Sequence, residues 1–476
     1  MKIINLLHPV MFASLPVFLL FSHNLGEIPA SQLILPTAVL GLSSFIIVVF
    51  AGYIQKNYSL AALLSSPLII FSLTYGIIYD FIGAYLRGTK WHLIVLLSLS
   101  ILIAIGLATY FYQLFKRRST HKFTGLNKVF SVIAILMLTF NFMNIGIYYL
   151  DDHSHQSING GPYYSIKNSA GKPDPDIYYI ILDEYAGLEQ IREAYNYDNG
   201  AFAQRLTEKG FYIATKSKTK YASTNLSLAE SLNMGIPEKF DDSVGTALDM
   251  KISESIGWEN KEDLKFKKMI RHNKVLQILK RRGYKYIHFG SWWHSTRYNR
   301  QADKNVNYFG FLLKNELNML LIEKSIIRIL FMDKNLWRDG FTYAFNELAK
   351  VADMESPKFV FAHMLIPHMP FVFDENGGKV PFGASNDWND KSLYLGQYKY
   401  TTKKIEKVVD DILQKSTRPP IIIIQSDHGV RRDEKNKYKI FNAYYLPYGG
   451  NQIVYDEIMP GEIFRKIFEY YFGLKG

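Results

Sequence analysis

The feature that most constrains the fold is a series of about five apolar segments in the first 150 residues. At roughly 1.5 Å of rise per helical residue, each segment can cross a hydrocarbon core of about 30 Å. The predicted spans are Ile4–Ser22, Leu33–Ile54, Leu60–Leu86, Leu93–Phe115 and Val129–Leu150. Because the chain after residue 150 is polar and mixed, we expect a five-helix membrane anchor at 1–150 followed by a soluble domain.

The first segment has one alternative interpretation, a cleaved signal peptide, because Lys2 precedes an apolar run. No small-residue cleavage site stands before Glu27, which favours an uncleaved first helix. Four further spans follow in either case. The membrane assignment therefore does not depend on this segment.

Basic residues in the short connections predict the orientation of the anchor. The connection at 116–128 carries Lys116, Arg117, Arg118, Lys122 and Lys128, and the other connections carry fewer basic residues. The positive-inside rule places this connection in the cytoplasm. The N-terminus is then cytoplasmic, the fifth helix exits on the other side, and everything after Leu150 is extracytoplasmic.

The net charge of +12 raises the question of a nucleic-acid partner. In an outer, membrane-anchored domain, basic residues are better matched to anionic lipid headgroups or phosphorylated substrates, so we expect no nucleic acid. The chain contains no cysteine, which excludes disulfides and thiolate chemistry. The absence of cysteine is compatible with a bacterial cell envelope.

The second part of the chain alternates apolar strands with helices. A linker is predicted at 151–175, since Ser169–Asp176 is rich in Pro, Gly and Asp, and a catalytic domain is predicted at 176–476. The predicted strands are Ile177–Leu182, Tyr284–Gly290, Lys358–Ile366, Ile421–Gln425 and Asn442–Pro447, and the predicted helices are Gly187–Lys209, Val275–Arg282 and Tyr394–Lys415. Continuously apolar strands between helices predict an α/β fold with a largely parallel sheet covered on both faces.

Two of these strands end in residues that can bind a cation. Asp183 and Glu184 follow the first strand, and Asp427 and His428 follow the four isoleucines of the last core strand. In open α/β sheets, sites form at the carboxyl ends of the strands. Carboxylates and a neutral imidazole suit Zn²⁺ or Mn²⁺, with Mg²⁺ and Ca²⁺ as alternatives. Taken alone, Asp183 is more readily explained as a helix cap, and Glu184 as an acid in the first turn.

A hydroxyl group precedes a predicted helix in the same domain. Ser223 and Thr224 stand just before an apolar-periodic stretch, and either residue could be its N-cap. A bound metal lowers the pKa of a threonine hydroxyl, and a helix N-terminus offers N–H donors to phosphoryl oxygens. The acids, the histidine and the threonine occur together in this order, which favours a functional site over three separate structural roles.

Further polar residues have two interpretations each. His294 and Arg297 lie in an aromatic stretch, Gly290–Arg300, which could clamp a phosphate and a sugar or glycerol, or could be a packed surface loop. Arg431 follows the Asp-His pair and could contact an anionic substrate, although exposed arginines are common. His363 is expected to have a core role.

The chain resembles the sulfatase-type branch of the alkaline phosphatase superfamily. Within that branch it is most similar to membrane-anchored lipoteichoic acid synthases and lipid A phosphoethanolamine transferases, which have five N-terminal helices and an extracytoplasmic catalytic domain. The resemblance is carried by "YYIILDE", "TNLS", "LIPHMPF", "QSDHG" and the ending "FNAYYLPYGG…MPGEIFRKIFEYYFG". It implies a multi-pass protein of the bacterial inner membrane with a periplasmic catalytic domain.

The resemblance also implies roles for individual residues. Asp183, Thr224, Asp427 and His428 correspond to the metal ligands, with Glu184 as an additional candidate. Thr224 also corresponds to the nucleophile that becomes transiently phosphorylated. His368 resembles the histidine that contacts the substrate or protonates the leaving oxygen. The chain has no Cys or Ser in the C/S-x-P-x-R pattern that yields formylglycine, which disfavours the usual sulfate-ester hydrolysis.

The predicted function is a metal-dependent membrane phosphotransferase. It would move a phosphoglycerol or phosphoethanolamine headgroup from a lipid donor, through a phospho-threonine, to a glycan or lipid of the cell envelope. Two alternatives remain open: a sulfatase-like phosphodiesterase or ester hydrolase, and a non-enzymatic envelope-assembly protein. Metal content would separate the last from the first two, and acceptor-dependent release of diacylglycerol would separate transfer from hydrolysis.

Overall fold

The computed structural model describes residues 7–25, 28, 30–85, 121–155, 174–236, 261–291, 293–308, 316–331, 335–380 and 390–474. By their contacts, the residues of the chain fall into two compact units. The first unit comprises Met1–Asn159 and Phe311–Met332, and the second comprises Gly160–Gly310 and Asp333–Gly476.

The regular elements of the described residues are numbered in chain order. The helices are α1 (Leu7–Ser22), α2 (Ile34–Gln55), α3 (Tyr58–Tyr85), α4 (His121–His155), α5 (Leu188–Tyr195), α6 (Gly200–Glu208), α7 (Thr224–Asn233), α8 (Lys261–Arg271), α9 (Lys274–Arg281), α10 (Glu316–Lys324), α11 (Arg328–Phe331), α12 (Asn335–Lys350), α13 (Lys391–Lys415) and α14 (Pro460–Phe472). The strands are β1 (Ile177–Leu182), β2 (Tyr212–Ile213), β3 (Lys285–Phe289), β4 (Lys304–Val306), β5 (Lys358–Met364), β6 (Ile421–Ser426) and β7 (Asn442–Tyr445).

Among the described residues, three helices are long and apolar enough to cross a membrane, at Ala30–Gln55, Tyr58–Tyr79 and Gly125–Leu150. The prediction of five spans is therefore met in part. Helix α1 is apolar but has only 16 residues, which corresponds to about 24 Å. The predicted span at Leu93–Phe115 lies outside the described residues.

Buried polar side chains join the apolar helices of the first unit. His8 pairs through Nδ1 with Ser66 Oγ at 2.8 Å and through Nε2 with Asn127 Oδ1 at 2.7 Å. Further along α1 and α4, Ser22 Oγ donates to Asn141 Oδ1 at 2.9 Å. Residue numbers increase in the same direction along α1 and α4, so these helices run parallel.

The first unit also includes a stretch from much later in the chain, Phe311–Met332. In α10, Leu317 and Leu321 pack in one apolar cluster with Val17, Leu20 and Phe21 of α1. No pattern in the sequence indicated this packing, and the stretch falls within the range predicted as the catalytic domain.

The second unit is built on a seven-stranded sheet in the order β2-β7-β6-β1-β5-β3-β4. Strands β1, β3, β4, β5 and β6 pair in parallel, and β7 and β2 add antiparallel pairing at one edge. All six residues of β1 are buried, as are all six of β6. The prediction of an α/β fold with a largely parallel sheet is confirmed.

Helices cover both faces of this sheet, which explains why its central strands are continuously apolar. Tyr178, Ile180 and Leu182 of β1 pack in one core with residues of α5, α6, α12 and α13. Ile177, Tyr179 and Ile181 pack in the other core with residues of α7, α8, α9 and α14.

The predicted helix Gly187–Lys209 consists of two helices, α5 and α6. Helix α5 ends at Tyr195, where Asn196 adopts a left-handed conformation with φ of 51° and its N–H reaches the carbonyls of Arg192 and Ile191. Asparagine tolerates this conformation better than most residues, so the helix ends without a glycine. The helix prediction is therefore wrong at this break.

Candidate metal and phosphate site

The strand register brings the predicted acids to one edge of the sheet. Leu182 at the end of β1 pairs with Ser426 of β6 and with Met364 of β5. The next residues, Asp183 and Asp427, therefore emerge side by side. Ligand atoms of Asp183, Asp427 and His428 all lie within 4.8 Å of one another, and all three residues are buried.

The orientations of Asp427 and His428 are those of cation ligands. Asp427 Oδ1 accepts hydrogen bonds from the backbone N–H groups of Glu184 at 3.0 Å and His428 at 2.8 Å. Its Oδ2 is buried with no hydrogen-bond partner, as is Oδ1 of Asp183. His428 Nδ1 lies 2.8 Å from the carbonyl of Gly429, so Nδ1 carries the proton and Nε2 presents its lone pair.

Two buried carboxylate oxygens without donors are costly unless a cation neutralises them. Burial acts to raise the pKa of Asp183, but the nearby histidines, His368, His363 and His428, outweigh it and hold that pKa below its usual value. An ionised carboxylate next to an imidazole lone pair suits a divalent metal such as Zn²⁺. These residues therefore fit a divalent cation.

Thr224 is the first residue of α7 and reaches the same cluster. The N-cap of α7 is Ser223, with extended backbone, so Thr224 is not the capping residue. Thr224 Oγ1 lies 3.3 Å from His428 Nε2. Ser227 Oγ donates to the Asp427 carbonyl at 2.6 Å, which attaches the start of α7 to the end of β6.

Arg431 brings a positive charge to the threonine. Its Nη2 donates to Thr224 Oγ1 at 3.2 Å, and its Nε donates to His428 Nε2 at 3.1 Å. Although Arg431 is exposed as a whole, its guanidinium lies where a phosphoryl group attached to Thr224 would carry its charge. The guanidinium shares the His428 lone pair that a metal would use.

Glu184 is not among the three described residues whose ligand atoms cluster. Its backbone has a φ of 60°, and its Oε1 accepts a hydrogen bond from the Arg431 backbone N–H at 2.8 Å. Its other oxygen lies 3.9 Å from Nε2 of His368. Glu184 thus holds the Arg431 segment and stands beside His368.

His368 has an environment that favours its protonated form. Nδ1 donates to the carbonyl of Met369 at 2.6 Å, which leaves Nε2 facing Glu184. Burial lowers the pKa of His368, but the carboxylates of Asp183 and Glu184 outweigh it and raise that pKa above its ordinary value. Burial also raises the pKa of Glu184.

His363 belongs to this site, although a core role was expected. The residue is buried, but its Nε2 lies 3.5 Å from Asp183 Oδ2 and its Nδ1 lies 2.9 Å from Thr296 Oγ1. The sequence did place His363 near the carboxyl end of an apolar strand, where sites form in α/β sheets. Which face it occupies follows from the pairing of His363 with Ile181.

The loop with His294 and Arg297 lies against the same elements. Ser295 Oγ donates to Asn225 of α7 at 3.0 Å, and Thr296 contacts His363. The side chain of His294 lies outside the described residues. Arg297 follows this turn, and substrate binding by these two residues stays a prediction.

Several solved structures are similar to this chain. The C-terminal periplasmic domain of EcEptC from Escherichia coli, in complex with Zn, is 12% identical, with 66% of this chain and 86% of that chain covered and a TM-score of 0.44. The integral membrane lipooligosaccharide phosphoethanolamine transferase A from Neisseria meningitidis is 14% identical, with 94% of each chain covered and a TM-score of 0.39. A protein in the alkaline phosphatase superfamily from Vibrio parahaemolyticus is 14% identical, with 67% and 73% covered and a TM-score of 0.37.

No curated protein matches the chain. The Sulfatase family model matches residues 178–457, which is more than half of the chain and includes every residue of the site described above. The predicted resemblance to the sulfatase-type branch, and with it the prediction of an enzyme, is therefore confirmed, and the chain belongs to the sulfatase family.

Proposed function

We propose that the protein is a metal-dependent phosphotransferase that uses Thr224 as its nucleophile. The observation that carries this proposal is the position of Thr224 Oγ1, between His428 Nε2 at 3.3 Å and Arg431 Nη2 at 3.2 Å. A hydroxyl beside buried carboxylates, an imidazole and a guanidinium suits attack on an anionic phosphorus centre.

Asp183, Asp427, His428 and Thr224 would hold one divalent cation, with Zn²⁺ or Mn²⁺ favoured by the mixed N/O donors. When bound, this cation lowers the pKa of the threonine hydroxyl and so supplies an alkoxide at neutral pH. Asp427 is pre-oriented for this role, because one carboxylate oxygen is fixed by two backbone N–H groups and the other has no donor.

The remaining residues bind and orient the phosphoryl group. The guanidinium of Arg431 neutralises its oxygens, and the N-terminal N–H groups of α7 add further donors. The Thr224 oxygen forms a bond to phosphorus while the bond to the leaving oxygen breaks. His368 donates its proton to that oxygen, a role supported by the carboxylates that favour its protonated form. In the second step an acceptor hydroxyl forms a bond to phosphorus, its proton passes to His368, and the bond from phosphorus to the Thr224 oxygen breaks.

A phosphorus substrate is favoured over a sulfate ester because the chain has no formylglycine precursor. The apolar helices support a lipid donor, phosphatidylglycerol or phosphatidylethanolamine. After transfer of its phospho-headgroup, the rest of the donor would leave as diacylglycerol. The acceptor would be an envelope glycan or lipid. We place the protein in the bacterial inner membrane, with the site on the periplasmic side, as the basic residues at 116–128 predict.

The test uses the full-length protein in vesicles that contain phosphatidylglycerol or phosphatidylethanolamine labelled in the headgroup. We expect Thr224→Ala to abolish both diacylglycerol release and label on the protein, while Thr224→Ser keeps a measurable rate. Diacylglycerol release without any acceptor would identify a hydrolase instead. Full activity in Thr224→Ala would overturn the nucleophile assignment.

A further inference from the structure

The stretch formed by α10 and α11 contacts α3 inside the apolar span of that helix rather than only at its end. The backbone N–H of Ile326, between α10 and α11, donates to the carbonyl of Ser72 in α3 at 2.7 Å. The apolar span of α3 extends from Tyr58 to Tyr79. Ser72 is seven residues before that end, or about 10 Å along the helix axis. Ile326 therefore lies at the depth of the lipid acyl chains.

The backbone contact with α3 is close. A side-chain carbon at Gly76 would collide with the carbonyl of Glu323, so the glycine permits the close approach of α10. Leu317 and Leu321 of α10 also pack in one apolar cluster with Val17, Leu20 and Phe21 of α1. The stretch is thus packed on α1 and α3.

Two apolar residues of the stretch are nevertheless exposed. Leu330 in α11 is 77% exposed and Ile327 is 39% exposed. Isolated exposed apolar residues are common on soluble proteins, but these two lie within four residues of Ile326, whose backbone bonds to α3 inside its apolar span. Leu68 and Ile70, within four residues of Ser72 in α3, are likewise apolar and exposed, at 43% and 37%.

Arg328 begins α11 and reaches toward the end of the span. Its Nη1 donates to the carbonyl of Gly76 at 3.1 Å, and its guanidinium lies 4.5 Å from the ring centre of Tyr79. Arginine and tyrosine next to each other at the end of an apolar span are typical of the headgroup level. The guanidinium is then within reach of a lipid phosphate.

We propose that α10 and α11 form a re-entrant element that binds a glycerophospholipid, with Ile327 and Leu330 against the acyl chains and Arg328 at the phosphate. This element belongs to the first unit and Thr224 to the second, and the argument uses contacts of the first unit alone, so the inference does not depend on the proposed transfer reaction. We expect lipid, rather than a second copy of the chain, to cover Ile327 and Leu330, because these residues follow the stretch of α3 whose Leu68 and Ile70 are also apolar and exposed.

The absence of cysteine allows a direct test on the full-length chain. Leu330→Cys and, separately, Ile327→Cys are labelled with an environment-sensitive fluorophore, and the protein is placed in vesicles with or without lipids that carry a nitroxide on the acyl chain. Phe140→Cys in α4 is the lipid-facing control, and Gln414→Cys, on the exposed face of α13, is the control outside the apolar helices.

We expect the nitroxide lipid to quench both labels nearly as strongly as the label at residue 140, and several-fold more than the label at residue 414. Quenching equal to that at residue 414 would overturn the proposal. So would blue-shifted emission without quenching, which would identify a protein partner or a second copy. Since both readouts are independent of turnover, this result is distinct from the outcome for Thr224.

Discussion

At the scale of single residues, the site contains a cation of its own. The Arg431 guanidinium donates to His428 Nε2 and to Thr224 Oγ1, atoms that a metal ion would also contact. A bound metal and Arg431 therefore compete for one lone pair. The arginine can leave this position for a phosphoryl oxygen when metal and substrate are both present. Its substitution should consequently have opposite effects on metal binding and on turnover.

We predict that Arg431→Gln binds Zn²⁺ about tenfold more tightly, because the metal no longer has to displace the guanidinium from His428. A tenfold change corresponds to about 1.4 kcal/mol, close to the lower value for one hydrogen bond to a charged group. Turnover should fall by about 10- to 100-fold because the phosphoryl oxygens lose a cationic donor. Competition with a metal chelator measures the first effect and diacylglycerol release the second. The neighbouring Arg432→Gln is the control, and equal zinc affinity in both variants would contradict the competition.

A second residue-scale prediction concerns His368 in the protein stripped of metal. Its pKa is raised in the folded state, so its protonation stabilises the fold fully below the ordinary value of about 6.5. This contribution is lost as the pH rises through the folded pKa. We expect Glu184→Gln to move the pKa of His368 downward, because it removes one of two carboxylates that favour the imidazolium.

Titration of the histidine ring resonances by NMR measures this shift. Glu189→Gln in α5 is the control, since the Glu189 carboxylate pairs with Lys439. An unchanged or higher pKa in Glu184→Gln would mean that Glu184 does not act on His368.

At the scale of elements, the site depends on how α7 is attached to β6. The fully buried Ser227 hydroxyl, three residues along the helix from Thr224, donates to the Asp427 carbonyl. This bond fixes the distance between Thr224 and the ligands. The N-cap residue Ser223 makes no side-chain capping bond, so it offers a matched serine without this role.

We predict that Ser227→Ala lowers the free energy of unfolding by about 1–3 kcal/mol, because a buried carbonyl loses its donor. Turnover should also fall at saturating metal, since Thr224 is no longer held at the ligands. Ser223→Ala should change the free energy of unfolding by less than about 0.5 kcal/mol. Denaturant unfolding and diacylglycerol release measure the two effects, and equal losses in both variants would rule out the anchoring role.

The elements themselves were largely predictable from sequence, because their signals are local. Four consecutive isoleucines bounded by Pro420 and the Asp-His pair indicate a buried strand wherever they occur. The helix break at Asn196 was missed because asparagine carries a weaker stop signal than glycine. The position of His363 was missed because it depends on pairing with a strand about 180 residues away.

The packing of α10 was not predictable for a similar reason. A nine-residue apolar helix has the same local pattern whether it covers a soluble core or a membrane helix. Contacts within the first unit also give the directions of its helices. His8 meets Ser66 and Asn127 at one end of the first unit. At the other end, Leu317 packs with Phe21 and Ile326 bonds to Ser72. Helices α3 and α4 thus both run parallel to α1, so the end of α3 and the start of α4 lie at opposite ends.

At the scale of the whole molecule, the chain passes between the two units three times. These passages are at residues 159–160, 310–311 and 332–333. Only the first corresponds to the linker predicted from sequence. The second unit is therefore covalently joined to the membrane unit through three points rather than one.

We predict that a protease site introduced between residues 155 and 174 does not release the second unit on cleavage. The fragment that begins near β1 retains Phe311–Met332, which stays packed on α1 and α3. Sedimentation of cut membranes measures this, and the fragment should pellet. As a control, a second cut on each side of this stretch should release the flanking parts. Release by the first cut alone would show that the packing of α10 and α11 is too weak to anchor the unit.

The same late stretch has a consequence for biosynthesis. Phe21 and Ile28 are made about 290 residues before Leu317, their partner in the apolar cluster. At about 5–20 residues per second, translation separates them by roughly 15–60 s. During that interval, the apolar residues at the end of α1 lack the partner that packs on them in the folded protein. The nascent anchor therefore reaches its final packing only after most of the strands of the second unit have been made.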